Sequence, residues 1–329
     1  MQKILVIQTA FIGDAILAAS VLEKIHQFYP DAQLDLLVRK GNEALYKDHP
    51  FLTDCLVWNK QEGKYKSLFR LLKQIRRQKY DKVINLHRYA SSGLLTGFSG
   101  AKEKIGFDKN PFSFLFTKKI HHEIGNGKHE VERNQQLIEH FTDKLFAKPK
   151  LYPSAAAFEK VKAYKASPYV CMAPSSVWFT KQLPLHKWVE LCDKTDASAT
   201  IYLLGASADS ALCDEIIQKT THKNSVNLCG KLNLLESCAL MKDAKMNYVN
   251  DSAPLHLASA MNAPTTAFFC STVPAFGFTP LADIAVVIET SKELDCKPCG
   301  LHGYKQCPLG HFDCGRTIEI GSDVPAKAI

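Results

Sequence analysis

Short apolar runs at Lys3–Gln8, Gln33–Val38, Cys55–Trp58 and Lys82–Leu86 alternate with longer, helix-like stretches at Ala15–Phe28, Asn42–Lys47 and Tyr65–Lys79. That alternation predicts a βαβ series around a parallel sheet. Pro149 and Pro153, flanking Leu151 and Tyr152, mark a boundary, and a helix is predicted at Ala155–Tyr164. A second series follows, with strands at Tyr169–Met172, Thr200–Leu204, Val226–Leu228, Met246–Val249, Thr265–Phe269 and Ile284–Ile288. Helices fall between them at Leu185–Asp193, Asp209–Thr220 and Leu234–Lys242. The pattern predicts an α/β protein of two doubly wound, Rossmann-like domains, residues 1–150 and 151–329, facing each other across a cleft. Its 329 residues agree, because a single hydrophobic core stops growing near about 250–300 residues.

Hydrophobic residues make up 46% of the chain and charged residues 22%, the usage of an ordinary globular domain. No uninterrupted apolar span of about 20 residues exists, which argues against a transmembrane helix. Lys3 before an apolar stretch, with Ala18-Ala19-Ser20 beyond, has the outline of a signal peptide. Gln8, Thr9 and Asp14 interrupt it, so the segment reads as a first strand and the expected location is cytoplasmic. Of the eleven cysteines, seven are scattered singly from Cys55 to Cys270 and read as reduced, buried thiols.

Charge is concentrated at one end. Residues 1–150 hold 25 Lys or Arg against 16 Asp or Glu, and residues 151–329 hold 16 against 17. The basic half is suited to an anionic partner, with nucleic acid, a membrane surface and a phosphorylated substrate as the options. Against nucleic acid stands the want of any RNA-binding motif or regular interleaving of aromatics. Ser67–Lys79 places Leu68, Leu71, Leu72 and Ile75 on one helical face and Arg70, Lys73, Arg76 and Arg77 elsewhere. Such a helix either lies on anionic lipid or covers a sheet. Lys102, Lys104, Lys118, Lys119, His121 and His122 add further positive charge.

Candidate chemistry gathers where strands end. Neither Gly-x-Gly-x-x-Gly after the first strand nor a Walker loop is present, which removes the usual support for a nicotinamide dehydrogenase or a P-loop ATPase. Instead, Thr9-Ala10-Phe11-Ile12-Gly13-Asp14 follows the first strand. Gly13 permits a tight turn there, and Asp14 serves either as a helix cap or as a general base for an acceptor hydroxyl. Thr9, Gly13 and Asp14 are thus the acceptor-side candidates. In the second half, the loop from Ala173 to Pro184 offers Ser175 and Ser176 as donors to phosphate and Lys181 as a cation for a diphosphate leaving group. Met246–Thr272 reads as strand, turn, short helix and strand, with Asp251, Ser252, Ala253 and His256 lining the turn. A helix N-terminus beyond the carboxyl end of a parallel strand suits an anion, although Asp251 or Ser252 could equally be a simple cap.

Four remaining cysteines, Cys296, Cys299, Cys307 and Cys314, lie near the C-terminus with His302 and His311. Their spacing fits a thiolate zinc site, reduced thiols packing an irregular tail, or disulfides or redox use.

FIGD at 11–14, SSVWFTKQLP at 175–184, Leu228-Cys229-Gly230-Lys231-Leu232 and DSAPLHLASAMNAPT at 251–265 occur together in the order found in bacterial heptosyltransferases, glycosyltransferase family 9. The chain resembles that family over nearly its whole length. The resemblance implies a GT-B fold, an ADP-heptose or similar donor, a lipopolysaccharide core and lipid A acceptor, and an inverting reaction with neither metal nor cofactor. It matches Asp14 to the base, Ser175, Ser176 and Lys181 to the diphosphate contacts, and Asp251, Ser252, Ala253 and His256 to the nucleotide-sugar loop. Asp209 matches the nucleoside position, where members often carry Glu, and Ala253 stands where many carry Gly. A tail like Cys307-Pro308-Leu309-Gly310-His311 is also common there. The basic half would then meet acidic core sugars or the anionic inner face of the cytoplasmic membrane. An epimerase of the same fold, acting on the donor alone, and a basic nucleic-acid-binding protein are the alternatives.

Overall fold

A computed structural model describes residues 1–61 and 63–321. The chain divides into two compact units, the second beginning at Pro153. The first holds strands β1 (Lys3–Gln8), β2 (Gln33–Arg39), β3 (Asp54–Trp58), β4 (Lys82–Asn85), β5 (Glu103–Phe107) and β6 (Lys118–Ile120). Its helices are α1 (Ile12–Phe28), α2 (Lys64–Gln78), α3 (Ala90–Gly97) and α4 (Glu130–Gln136). The second holds β7 (Tyr169–Ala173), β8 (Thr200–Leu203), β9 (Ser225–Asn227), β10 (Asn247–Asn250), β11 (Thr265–Phe269) and β12 (Ala285–Glu289). Its helices are α5 (Ala155–Val161), α6 (Leu185–Lys194), α7 (Ser210–Lys219), α8 (Leu234–Met241), α9 (Ala253–Ala260) and α10 (Asp313–Arg316).

Every strand pair is parallel. The first sheet runs β3-β2-β1-β4-β5-β6 and the second β9-β8-β7-β10-β11-β12, so the two share one strand order. The central strands read as unbroken apolar runs because helices cover both faces of a doubly wound sheet. Ile4, Leu5, Val6 and Ile7 of β1 are fully buried, as are Ala267, Phe268 and Phe269 of β11. In the second core Trp188 of α6 meets Phe268 edge-on, with ring centroids 5.6 Å apart. Phe312, Cys314, Ile318 and Ile320 pack into that same core, which makes the cysteine-rich tail part of it.

In each sheet the connections turn in opposite directions from one pair of neighbouring strands, β1 and β4 in the first, β7 and β10 in the second. The carboxyl ends of such a pair form a crevice that receives ligands. Thr9–Asp14 lies after β1, the Ser175–Lys181 loop after β7, and Asp251–Ala253 after β10.

Three local expectations need correction. Helix α1 begins at Ile12, which places Gly13 and Asp14 in its first turn, and Gly13 is not among the residues with positive φ. Gly13 is therefore a helical residue and not a tight turn. Similarly, the short helix after the Asp251-Ser252 turn, which the sequence places at Leu255–Met261, runs from Ala253 to Ala260, because Pro254 suits the first helical turn, where no backbone N–H is required. Strand β6 escapes the apolar pattern because it is a three-residue edge strand with two lysines, and β5, paired on both sides, escapes it because Glu103 and Lys104 open the strand and only Ile105, Gly106 and Phe107 are buried. The helix expected at Asn42–Lys47 is a 3-10 turn over Glu43–Tyr46.

Candidate active site

In the first unit, the loop after β1 is held by three contacts. Asn42 Nδ2 donates to the Ala10 carbonyl at 3.2 Å, the Ala10 amide donates to Gln8 Oε1 at 3.2 Å, and Thr9 Oγ1 pairs with His87 Nδ1 at 2.9 Å. His87 follows β4, so residues from both central strands meet at this crevice. Burial, with Lys60 and Arg88 nearby, lowers the His87 pKa to about 4 and keeps its ring neutral near pH 7.

Asp14 retains partial solvent access within a densely packed surround. Desolvation pushes its pKa up to about 7, and the negative field of Glu130 adds to the rise. Hydrogen bonds from the amides of Asp14 and Phe11, together with Arg88, act the other way without prevailing. A carboxylate whose pKa lies near neutral pH and which keeps some solvent access has the properties of a general base. Glu130 is buried at the start of α4, which packs on α1. Arg133 Nε donates to Glu130 Oε2 at 2.7 Å, and His122 Nε2 stands 3.9 Å from the same oxygen. Glu130→Gln removes the like charge beside Asp14, so the acid limb of a kcat/KM profile is expected to move to lower pH. An unmoved limb would separate Glu130 from the titration.

Beside this loop, Arg39, Lys40, Gly41, Trp58, Lys60 and their neighbours line a basic pocket of about 260 Å3 at the ends of β2 and β3. The Arg39 guanidinium lies over the Phe11 ring and Lys60 over Trp58, at 5.3 and 4.5 Å from the ring centroids. Neither His87 nor this pocket emerges from motif reading. Their signal is positional, since each follows a strand adjacent to the crevice.

In the second unit, Asn250, wholly buried at the end of β10, ties the β7 loop at both ends. Its Nδ2 donates to the Pro174 carbonyl at 2.8 Å, and its Oδ1 accepts from the Leu183 amide at 2.9 Å. Gln182 Nε2 donates to the Ser176 carbonyl at 2.6 Å across the loop. Lys181 and Asp251 form an ion pair of 2.7 Å, with the side chains 14% and 7% exposed. Thr272 Oγ1 donates to the same Asp251 oxygen at 2.6 Å. Asp251 is thus a bracket for Lys181, not a helix cap. Ser252 occupies the N-cap of α9 yet makes no capping hydrogen bond with its side chain. The amides of the first α9 turn are thereby left without a side-chain acceptor from Ser252, in the place where a helix end attracts an anion.

His256 is buried one turn along α9, its ring centroid 6.3 Å from that of Phe278. Asp209 accepts from the Ala206 amide at 2.8 Å and so shapes its own loop. That loop follows β8 and is joined to the one after β9 through the Gly230 amide and the Gly205 carbonyl, 3.0 Å apart. Gly230 has φ +72°, and a Cβ there would come within 2.2 Å of Ser207 Oγ, so only glycine fits. The second crevice therefore gathers Ser175, Ser176, Lys181, Asp251, Ser252 and Ala253 around the ends of β7 and β10, with Asp209 one strand away.

The tail fastens to this crevice. The Thr180 amide donates to the Tyr304 carbonyl at 3.1 Å and the Tyr304 amide to Thr180 Oγ1 at 2.7 Å. The Cys299 amide donates to the Ser271 carbonyl at 2.8 Å, and Ser271 Oγ hydrogen-bonds Thr180 Oγ1 at 3.0 Å. All eleven cysteines are free thiols; Cys55, Cys296, Cys299 and Cys307 are half-buried and the other seven buried. Cys296 Sγ lies 3.8 Å from His311 Nε2. Among the described residues, however, no three Cys, His, Asp or Glu side chains converge as metal ligands, so the zinc site, one reading of the spacing of Cys296, Cys299, Cys307 and Cys314, is not formed.

Residues 68–309 match the model of glycosyltransferase family 9 (heptosyltransferase). The chain belongs to this family and is a glycosyltransferase. The matched span includes the whole second-unit crevice and leaves Asp14 outside it. Lipooligosaccharide heptosyltransferase 2 of Campylobacter jejuni subsp. jejuni is 25% identical over 96% of this chain and 94% of its own. Lipopolysaccharide heptosyltransferase 3 of Escherichia coli K12 is 28% identical over 80% and 81%. The structure of E. coli ADP-heptose lps heptosyltransferase II superposes with a TM-score of 0.76 at 22% identity, covering 91% of this chain and 96% of that one. The fold is of the GT-B type, as the sequence resemblance implied. Among the described residues no helix is long and apolar enough to cross a membrane.

Proposed function

We propose that this glycosyltransferase moves heptose from ADP-heptose to a hydroxyl of a lipopolysaccharide core acceptor, working peripherally at the cytoplasmic face of the membrane. The first unit takes the acceptor and the second, from Pro153 onward, the donor. The observation that carries this reading is the division of labour between the crevices. One holds a carboxylate with a pKa of about 7, and the other holds a lysine paired with aspartate beside a helix N-terminus.

In the reaction, the Asp14 carboxylate accepts the proton of the acceptor hydroxyl as its oxygen bonds to the anomeric carbon. The bond from that carbon to the diphosphate oxygen breaks on the opposite face, so a single displacement inverts the configuration. Lys181, Ser175, Ser176 and the first amides of α9 meet the charge growing on the departing ADP. Asp251 holds Lys181 until the diphosphate competes for it. Asp209 shapes the nucleoside loop, and His256 supports α9 from beneath. Thr9 and Gly13 place the acceptor loop, while the Arg39, Lys40 and Lys60 pocket suits carboxylates or phosphates of the core.

A thermal-shift panel tests the donor assignment. ADP at one hundred times its dissociation constant is expected to add about 2.7 kcal/mol of stability and raise the Tm by a few degrees. ADP-heptose should do the same, with UDP and GDP weaker. A panel in which no nucleoside diphosphate moves the Tm would sink the assignment.

A further inference from the structure

Helix α2, KYKSLFRLLKQIRRQ, contains no acidic residue. Its inner stripe of Leu68, Leu71 and Ile75 packs into the first core with Leu5, Ile7 and Trp58, and Leu72 is only partly buried at the margin. Trp58 Nε1 donates to Ser67 Oγ at 3.1 Å, which fixes the rotation of the helix about its axis. With the inward face settled, the outward one is defined. Tyr65 and Phe69 are 71% and 62% exposed, and Lys66, Arg70, Lys73, Arg76 and Arg77 surround them. Phe69, Leu72, Lys73, Arg76 and Arg77 line an open depression of about 400 Å3. Arg76 Nη1 donates to the Phe98 carbonyl at 3.0 Å, and Phe98 is itself exposed, adding a third ring beside the helix.

Covering a sheet explains the inner stripe and nothing of the outer one. Cations three and four residues apart on a helix repel unless an anion lies between them, and surface helices ordinarily mix signs for that reason. Large aromatics among cations on an outward helix face suit the boundary between lipid headgroups and acyl chains, where the rings enter and the charges meet phosphate. We infer that the outer face of α2 docks on an anionic phospholipid bilayer. This deepens the functional reading above, on which it rests for the reason an enzyme with a lipid-borne acceptor would need such a face.

Co-sedimentation of the full chain with vesicles tests it. Vesicles of phosphatidylcholine containing about one third phosphatidylglycerol are expected to bind the protein, pure phosphatidylcholine vesicles not, and added salt to weaken the binding. Lys73→Gln with Arg77→Gln should lower partitioning roughly thirtyfold, about fivefold for each cation. Phe69→Ser should lower it without changing its salt dependence. All three substitutions should leave the Tm and transfer to a soluble, lipid-free acceptor at wild-type values. Equal binding to neutral vesicles, or wild-type partitioning of the variants, would overturn the inference. So would an oligonucleotide that binds more tightly than vesicles and is lost in the same variants. Vesicle binding needs no sugar donor, so a chain that partitions normally yet transfers no heptose would refute the functional reading and leave this one standing.

Discussion

Asp14→Asn is expected to lower turnover by about three orders of magnitude while leaving the donor-induced thermal shift in place, because proton acceptance by a positioned base supplies about 10²–10⁴ in rate. The amide keeps the shape of the carboxylate and cannot take the proton. In the wild type, kcat/KM should fall as pH drops through about 7, where Asp14 protonates. Stability runs the opposite way. The folded pKa of Asp14 lies above its unfolded value of 3.8, so the native state binds the extra proton between those limits. Its contribution to stability is full below pH 3.8 and is lost as pH rises toward 7. Asp14→Asn removes that loss, so the variant should be more stable than wild type at pH 8 by denaturant titration, even as activity disappears. Full turnover in the variant would remove Asp14 from the chemistry. Reduced turnover with reduced stability would show a structural role instead.

Lys181→Met should cost about 10²–10³ in kcat, the scale seen when one preorganised group is withdrawn from a charge-developing oxygen. The methionine stem keeps the packing of the lysine while removing its ammonium. It also takes from the buried Asp251 carboxylate its cation and leaves it the Thr272 hydroxyl, so part of the stability changes as well. The double variant Lys181→Met with Asp251→Asn separates the two effects. It is expected to recover the lost stability and none of the turnover, because removing both members of a buried ion pair is less costly than stranding one. Stopped-flow or single-turnover assays at saturating donor provide the readout. A Lys181→Met enzyme within a few-fold of wild-type kcat would place the leaving-group charge elsewhere.

Much of this was legible in the sequence because parallel strands in a covered sheet must be apolar on both faces. Lys3–Gln8 and Thr265–Phe269 match their observed bounds for that reason. An edge strand carries no such demand, so Lys118–Ile120 looks polar, and Glu103–Phe107 beside it hides its buried half behind Glu103 and Lys104. The residues gathered after β10 announce themselves through a strand, a turn and a helix start in close succession. What the sequence withheld is the work done by residues distant in the chain. Asn250 looks like a turn residue, yet it joins both ends of a loop some seventy positions earlier. Glu130 sits in a polar stretch, and only the packing of α4 on α1 brings its charge to bear on Asp14. Asp251 resembles a helix cap, and what distinguishes it is Lys181, which comes from a different loop. Side-chain burial and long-range pairing, not periodicity, set these roles.

The bond between Thr180 and Tyr304 spans 124 positions of sequence. During synthesis the first unit can fold while most of the second is still being made, since domains form as units from the N-terminus. The turn bearing Lys181 emerges well before Tyr304, the residue that braces it. A nascent chain would therefore hold its first crevice formed while the Lys181 turn of the second waits for Tyr304, so the two crevices become rigid at different moments of synthesis.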